Sequence, residues 1–143
     1  MDELDKALLA QLSMDARLPL ATLSRRLKVA RSTVQSRLER LEGSGVIAGY
    51  TVKLGEGARQ GQIRASVLLM IEPRNQAAIL ARLKALAEVE RVHTISGRCD
   101  LLLQLAASST AALDTVLDSI GEIPGVRSSE SLIHLSTKFD RSR

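Results

Sequence analysis

Apolar residues in the first 45 positions follow helical spacing in three separate stretches. The first stretch has leucines at positions 4, 8, 9 and 12, and the second has leucines at positions 20, 23 and 27. Pro19 suits the first turn of the second helix. In the third stretch Val34, Leu38 and Leu41 share i, i+4, i+7 spacing, and glycines at positions 43 and 45 end the pattern. The sequence therefore predicts three short helices.

The pattern changes near residue 50 to extended apolar runs. Val46–Val52 is typical of a strand, and the glycine-rich residues 55–61 indicate a linker. Beyond the linker, strands are predicted at 62–72, 89–96, 101–106 and 126–135, with a helix at about 75–87. A second helix follows Ser108 or Ser109, since either side chain can cap it.

The order of these later elements, βαββαβ, is typical of a ferredoxin-like domain. In the first part, two helices joined by a turn at residues 28–31 have helix-turn-helix spacing, with Val46–Val52 as a candidate wing. We therefore predict an α+β chain with a winged helix-turn-helix head at 1–52, a linker at 53–61 and a ferredoxin-like body at 62–143. Because a four-stranded sheet leaves one face uncovered, we expect at least a homodimer, with an octamer or another higher oligomer left open.

Composition excludes several classes of protein. The 143 residues are 45% hydrophobic and 25% charged, values that disfavour disorder and coiled coils. The longest apolar run, Val67 to Ile71, is too short for a membrane span, and no leader opens the sequence, so we expect a cytoplasmic protein. One cysteine, Cys99, cannot form an internal disulfide, and two distant histidines have no metal-binding spacing. No metal or cofactor is expected.

Basic residues concentrate in the head, although the net charge of the chain is only +4. Between residues 16 and 42 there are seven Lys or Arg and two acids. If the third helix buries Val34, Leu38 and Leu41, its other side carries hydroxyl, amide and guanidinium groups that can bond phosphates and base edges. A merely solvated polar face is the alternative. The predicted contacts to double-stranded DNA are Arg25, Arg26, Lys28, Arg31, Ser32, Thr33, Gln35, Ser36, Arg37 and Arg40.

An ordered set of short motifs resembles the Lrp/AsnC family of transcriptional regulators. The matching segments of the head are Leu4-Asp5, Asp15-Ala16-Arg17, Leu23, Ser32-Thr33-Val34, Arg37, Leu41-Glu42 and Gly45-Val46-Ile47. In the body the matching segments are Gly97-Arg98-Cys99-Asp100 and Ile123-Pro124-Gly125-Val126. The turn differs from the family, which commonly has glycine and serine where this chain has Lys28 and Ala30. Ser32 to Gln35 is itself a capping-box pattern, which would start the third helix later.

The resemblance implies a body that dimerises and binds an amino-acid effector between subunits, near residues 97–100. The expected effector-binding residues are Thr94, Ser96, Gly97, Arg98 and Asp100. Asp100 could accept from the ammonium group of an amino acid, while backbone N–H groups at Gly97 and Arg98 meet its carboxylate. The alternative is structural, because glycine beside aspartate is common in turns. For Cys99 we expect a small apolar side chain that fills space, in preference to a redox sensor.

Three other functions belong to different classes. RNA recognition by the sheet is disfavoured because the body has Phe139 alone among aromatic residues. The two-domain plan is also similar to sirohaem decarboxylases, which would use histidines such as His93 and His134. A ligand-binding assembly protein with a non-functional head is the third. The preferred prediction is a DNA-binding regulator that responds to a small effector and is not an enzyme.

Overall fold

The computed structural model describes residues 1–142. The described residues form two compact units: Met1–Lys53 with Arg141 and Ser142, and Leu54–Asp140. The first unit contains the head and the second contains the linker and the body.

The head consists of three helices, α1 (Glu3–Met14), α2 (Leu20–Leu27) and α3 (Arg31–Gly43). Their apolar stripes meet in a small core, and its buried members are Leu8, Leu23, Val34 and Leu41. Leu38 packs against this core, so the predicted inward stripe of α3 is confirmed. Pro19 lies one residue before α2, at its N-cap, and not within the first turn.

The turn between α2 and α3 depends on one unusual backbone conformation. Lys28 has φ +57° and ψ +44°, the left-handed region that glycine adopts more easily. The Ser24 hydroxyl donates to the Val29 carbonyl, which braces the turn. The N–H groups of Thr33 and Val34 donate to the Ala30 carbonyl, so α3 begins at Arg31. The later start suggested by the capping-box pattern is wrong.

The segment after α3 corrects a second expectation. Residues 48–55 have no helix or strand, so the predicted strand Val46–Val52 is absent from the described chain. Instead the Ile47 N–H donates to the Leu41 carbonyl, and the Ile47 side chain packs on the head core. A strand needs a neighbouring strand to satisfy its backbone groups, and the head supplies none. The predicted linker contains one turn of helix, α4 (Glu56–Arg59).

The body is a four-stranded antiparallel sheet with two helices on one face. Its elements in chain order are β1 (Ile63–Ile71), a short 3-10 turn (Pro73–Asn75), α5 (Gln76–Lys84), β2 (Val89–Thr94), β3 (Leu101–Ala107), α6 (Thr110–Gly121) and β4 (Val126–Ile133). The strand order is β2-β3-β1-β4, with β1 and β3 in the centre. Ser109 caps α6 through a hydrogen bond from the Ala112 N–H. The predicted ferredoxin-like topology is confirmed.

The two faces of the sheet differ because the central strands alternate in burial. On the inner face, Val67, Leu69, Leu103 and their neighbours lie under α5 and α6 and form the main core. The opposite side, here called the open face, carries the alternate residues of each strand, and no helix of the body covers it. Its apolar members are Leu68, Met70, Leu102, Ala106 and Leu132, of which Met70 and Leu132 are exposed.

Candidate nucleic-acid interface and effector loop

The exposed side of α3 carries polar groups suited to DNA. Arg31, Ser32, Gln35 and Ser36 are exposed, while Thr33 is half-buried. These residues lie away from the stripe that α3 buries in the head core. The Gln35 amide donates to the Glu39 carboxylate at 3.2 Å, so an acidic residue shares this surface. Ser32, Gln35 and Ser36 therefore present donors and acceptors of the kind that bind base edges.

Basic residues at the end of α2 and in the turn form a surface beside α3. Within the described part of the chain, no carboxylate lies within ion-pair distance of Arg25, Lys28 or Arg31. Arg26 donates to the Gln11 side chain at 3.0 Å, which leaves its charge unneutralised. These four residues, Arg25, Arg26, Lys28 and Arg31, are called the turn cations. Their uncompensated charge favours a polyanion.

The other two predicted arginines of α3 are paired with acids of α1. Arg37 contacts the carboxylates of both Asp2 and Asp5, and its distance to Asp5 Oδ1 is 3.2 Å. Arg40 Nη2 lies 2.8 Å from Asp5 Oδ2. Asp5 is 1% exposed and is a buried charged residue of the described head. The structure therefore divides the predicted DNA contacts into unneutralised turn cations and neutralised arginines.

Electrostatics within this network favour the charged forms. The hydrogen bond from Arg37 is the main cause that lowers the pKa of Asp2 to about 2. Burial raises the pKa of Asp5, but hydrogen bonds from Arg37 and the Asp2 backbone, together with the charge of Arg40, outweigh it and lower the pKa. Both carboxylates raise the pKa of Arg37, chiefly through its hydrogen bonds to Asp2 and Asp5. The network is thus a set of permanent charges at neutral pH.

Sequence reasoning missed the partners of these arginines. Asp2 and Asp5 form a capping box at the start of α1, a pattern that is visible in the sequence because the two acids are three residues apart. Their contacts to Arg37 and Arg40 join positions more than 30 residues apart, which helical periodicity cannot reveal. The contact between Gln35 and Glu39 spans one turn of α3, so helical i, i+4 spacing could have revealed it.

The predicted effector residues meet around the β2–β3 connection, called the effector loop (residues 94–100). Gly97 has φ +127°, a conformation that requires glycine. Asp100 Oδ2 accepts from the Ile71 N–H at 2.9 Å, and Arg98 pairs with Glu130 at 2.7 Å. Thr94 and Ser96 are exposed, whereas Cys99 is buried. Asp100 therefore holds the loop against the end of β1, and its carboxylate stays open to solvent.

The histidines of the alternative enzyme lie at opposite edges of the sheet, His93 on β2 and His134 just after β4. His134 Nε2 lies 2.8 Å from Ser66 Oγ, and His93 is exposed opposite Leu102 on β3. No group of three or more His, Cys, Asp or Glu side chains within residues 1–142 is arranged to hold a metal ion. Among the described helices, none has the length and hydrophobicity needed to cross a bilayer.

Comparison with known proteins identifies both parts of the chain. The AsnC-type helix-turn-helix domain matches residues 1–42, and the Lrp/AsnC ligand binding domain matches residues 64–143. The HTH-type transcriptional regulator LrpA of Mycobacterium tuberculosis is 31% identical over 142 residues, which cover 99% of this chain and 95% of LrpA. FL11, a regulator of the same type from Pyrococcus abyssi, is 28% identical over 137 residues, covering 96% and 91% of the two chains.

Solved structures show the same fold. Escherichia coli AsnC has a TM-score of 0.91 at 24% identity, with 100% of this chain and 97% of AsnC covered. A Neisseria meningitidis transcriptional regulator in complex with L-Met has a TM-score of 0.89 at 24% identity, with 98% and 93% covered. The chain therefore belongs to the Lrp/AsnC family of DNA-binding transcriptional regulators, with an AsnC-type helix-turn-helix head and an Lrp/AsnC ligand-binding body.

Proposed function

We propose that the chain acts as a homodimer in the cytoplasm, binds double-stranded DNA through the turn cations and the exposed side of α3, and responds to an amino acid at the effector loop. The observation that carries the DNA part is the unneutralised charge of Arg25, Arg26, Lys28 and Arg31 beside a helix that presents Ser, Thr and Gln. No catalytic residue is proposed.

Each group of residues has a separate role in this proposal. The turn cations contact phosphates, which gives affinity and orientation without sequence information. Ser32, Gln35 and Ser36 enter the major groove, where Gln35 can bond adenine in two places. The Gln35–Glu39 hydrogen bond supports this role, because it restricts the rotation of the amide before DNA arrives. Thr33 is half-buried and contributes at the edge of the surface.

The open face supports assembly of two copies. Leu68, Met70, Leu102 and Leu132 place apolar area on the side of the sheet that α5 and α6 do not cover. A sheet whose second face is apolar gains stability when that face is covered, and a second copy supplies an identical complementary surface. Two paired heads then read two half-sites on one face of the DNA.

The effector loop supports a zwitterionic ligand. Asp100 is exposed although one of its oxygens holds the Ile71 N–H, so the carboxylate is fixed and still accessible to an ammonium group. Backbone N–H groups around Gly97 and Arg98 supply donors for a carboxylate. A regulator with the same fold is solved with L-Met, which supports an amino acid as the class of ligand.

The DNA proposal is tested by a salt titration of binding to genomic duplex fragments. If a dimer makes about eight phosphate contacts, log affinity falls against log salt with a slope near −7. Arg31→Gln should make the slope shallower by about 0.9 for each bound head, because one phosphate contact is lost. Arg74→Gln, which changes a basic residue of the body, is the matched control and should leave the slope unchanged.

Assembly and ligand binding have their own measurements. Sedimentation at micromolar concentration should show at least a dimer, and a monomer alone would contradict the open-face contact. A thermal-shift screen with the twenty amino acids should raise the melting temperature for one class of side chain. Asp100→Asn should remove that shift, while Glu130→Gln, which changes only the partner of Arg98, should retain most of it.

A further inference from the structure

We infer that Asp5 is a positioning residue for DNA binding, which holds Arg40 on α1 and so keeps this arginine of α3 off the phosphate backbone. The inference rests on the proposed DNA-binding function, because it concerns which cations of the head contact the nucleic acid.

The first observation is the burial of Asp5. Its side chain is 1% exposed, and a buried carboxylate is tolerated only where partners compensate its charge. Both oxygens are used: Oδ1 accepts from Arg37 at 3.2 Å, and Oδ2 accepts from Arg40 at 2.8 Å and from the Asp2 N–H at 3.3 Å. Asp5 therefore binds both guanidinium groups at once.

The second observation is the difference in exposure between the two arginines. The Arg37 side chain is 24% exposed and has two carboxylate partners, Asp2 and Asp5. The Arg40 side chain is 60% exposed and has Asp5 as its carboxylate partner. Arg37 is thus held firmly within the head, while Arg40 lies where a phosphate would compete with Asp5 for it.

Asp5 has the advantage in that competition for two reasons. It belongs to the same folded unit as Arg40, so the pair forms without the loss of translational freedom that DNA binding entails. If Arg40 moved to a phosphate, the buried Asp5 carboxylate would lose its shortest hydrogen bond. Moving Arg40 from Asp5 to a phosphate therefore costs free energy. A phosphate contact by an unpaired lysine or arginine does not have this cost.

The charges of the network also balance. Asp2 and Asp5 carry two negative charges, and Arg37 and Arg40 carry two positive ones. The basic surplus between residues 16 and 42 thus lies mainly at the turn cations, for which the described residues supply no carboxylate within ion-pair distance. Asp5 limits the sequence-independent part of affinity, which grows with every phosphate that a cation neutralises.

The test is a salt titration of full-length protein on a random-sequence 30-base-pair duplex. Asp5→Asn should steepen the slope of log affinity against log salt by about 0.9 for each bound head, which is about 8-fold in affinity per head at 0.1 M salt. The double variant Asp5→Asn with Arg40→Gln should return the slope to that of the native protein. Asp2→Asn is the matched control and should leave the slope unchanged, because Asp5 still holds both arginines.

Arg40→Gln alone keeps the inference testable if Asp5→Asn does not fold. The inference expects an unchanged slope for Arg40→Gln, since Arg40 makes no phosphate contact in the native protein. A slope that becomes shallower by about 0.9 per head would overturn it, as would an unchanged slope in a folded Asp5→Asn variant. Native protein that shows no salt-dependent DNA binding would instead refute the proposed function itself.

Discussion

The head and the body are stabilised in different ways. Within the described residues, the main core of the body contains fourteen buried side chains, whereas the head core contains four. The head adds an ionic network, in which Asp5 of α1 and Asp2 at its N-cap bind two arginines of α3. A small unit buries too little apolar area to be rigid by packing alone, so polar contacts hold its recognition helix in place. Charged residues near a binding helix can therefore also fix the position of that helix.

The largest expected effects come from the two cores. Leu103→Ala should destabilise the body by about 3 to 5 kcal/mol, because it leaves a cavity under α5 and α6. Leu23→Ala truncates one of the four buried apolar side chains of the described head core and should unfold the head at room temperature. Tyr50 is the single tyrosine and lies in the head, so near-ultraviolet circular dichroism reports on the head separately. Leu103→Ala should leave the tyrosine signal intact. Loss of that signal would contradict the separation of the head core from the body core.

The next largest expected effect is the loss of stability of the body when Gly125 is replaced. A methyl group at Gly125 would lie 2.6 Å from Asn75 Cβ, and φ is +98°, so Gly125→Ala should cost about 3 kcal/mol from overpacking and backbone strain together. Gly97→Ala is the control, because its φ is +127° but no atom lies within 4 Å of the added methyl. Urea denaturation should show a smaller loss for Gly97→Ala, and equal losses would mean that contact with Asn75 is unimportant.

At Lys28, in the turn between α2 and α3, one substitution should stabilise the head and at the same time weaken DNA binding. Lys28 adopts left-handed backbone angles, which cost a side-chain-bearing residue about 1–2 kcal/mol, whereas glycine loses about 0.5–1 kcal/mol of entropy. Lys28→Gly should therefore stabilise the head by about 0.5–1 kcal/mol, measured by the tyrosine signal in urea. The same variant should make the salt slope shallower, since one turn cation is lost. Lys28→Gln separates the effects, because it removes the charge and keeps the strain.

Acid should affect the head through Asp2. Its pKa is about 2 in the folded protein and 3.8 ordinarily, so its stabilising contribution is complete above about pH 4 and is lost as the pH falls through 2. Head stability, followed by the tyrosine signal between pH 5 and 2, should therefore decrease as acid is added. Asp2→Asn should show a weaker dependence in this range. An identical dependence in both proteins would assign the acid sensitivity to other groups.

Local patterns predicted most of the fold. The apolar runs of β1 and β3, the i, i+4, i+7 stripe of α3 and the cap at Ser109 each depend on neighbours in sequence, and each of these predicted features is confirmed. Two expectations failed, the first because a strand needs a distant partner and the second because local hydrogen bonds start α3 one residue before Ser32. Val46–Val52 has the residues of a strand but no strand to pair with, and Ser32 has the residues of a cap but lies inside α3.

The sequence predicted which residue types the candidate site contains, but not how their side chains are paired. The basic character of α2 and α3 is visible from the sequence, but the pairing of Arg37 and Arg40 with α1 depends on how three helices pack. Asp100 illustrates the same point in the body, because its contact with the Ile71 N–H joins two residues that are 29 positions apart. Residue type indicates which chemistry is available, and packing determines which groups remain free for a ligand.

Amide hydrogen exchange of the full-length protein, with and without a duplex that it binds, tests whether the head contacts DNA. We expect slower exchange in residues 28–36 on addition of DNA, because the turn and the first half of α3 then lie against the duplex. Exchange in β1 and β3 should not change with DNA, since those strands lie in the body core. Protection confined to the body, with residues 28–36 unaffected, would contradict the assignment of DNA binding to the head.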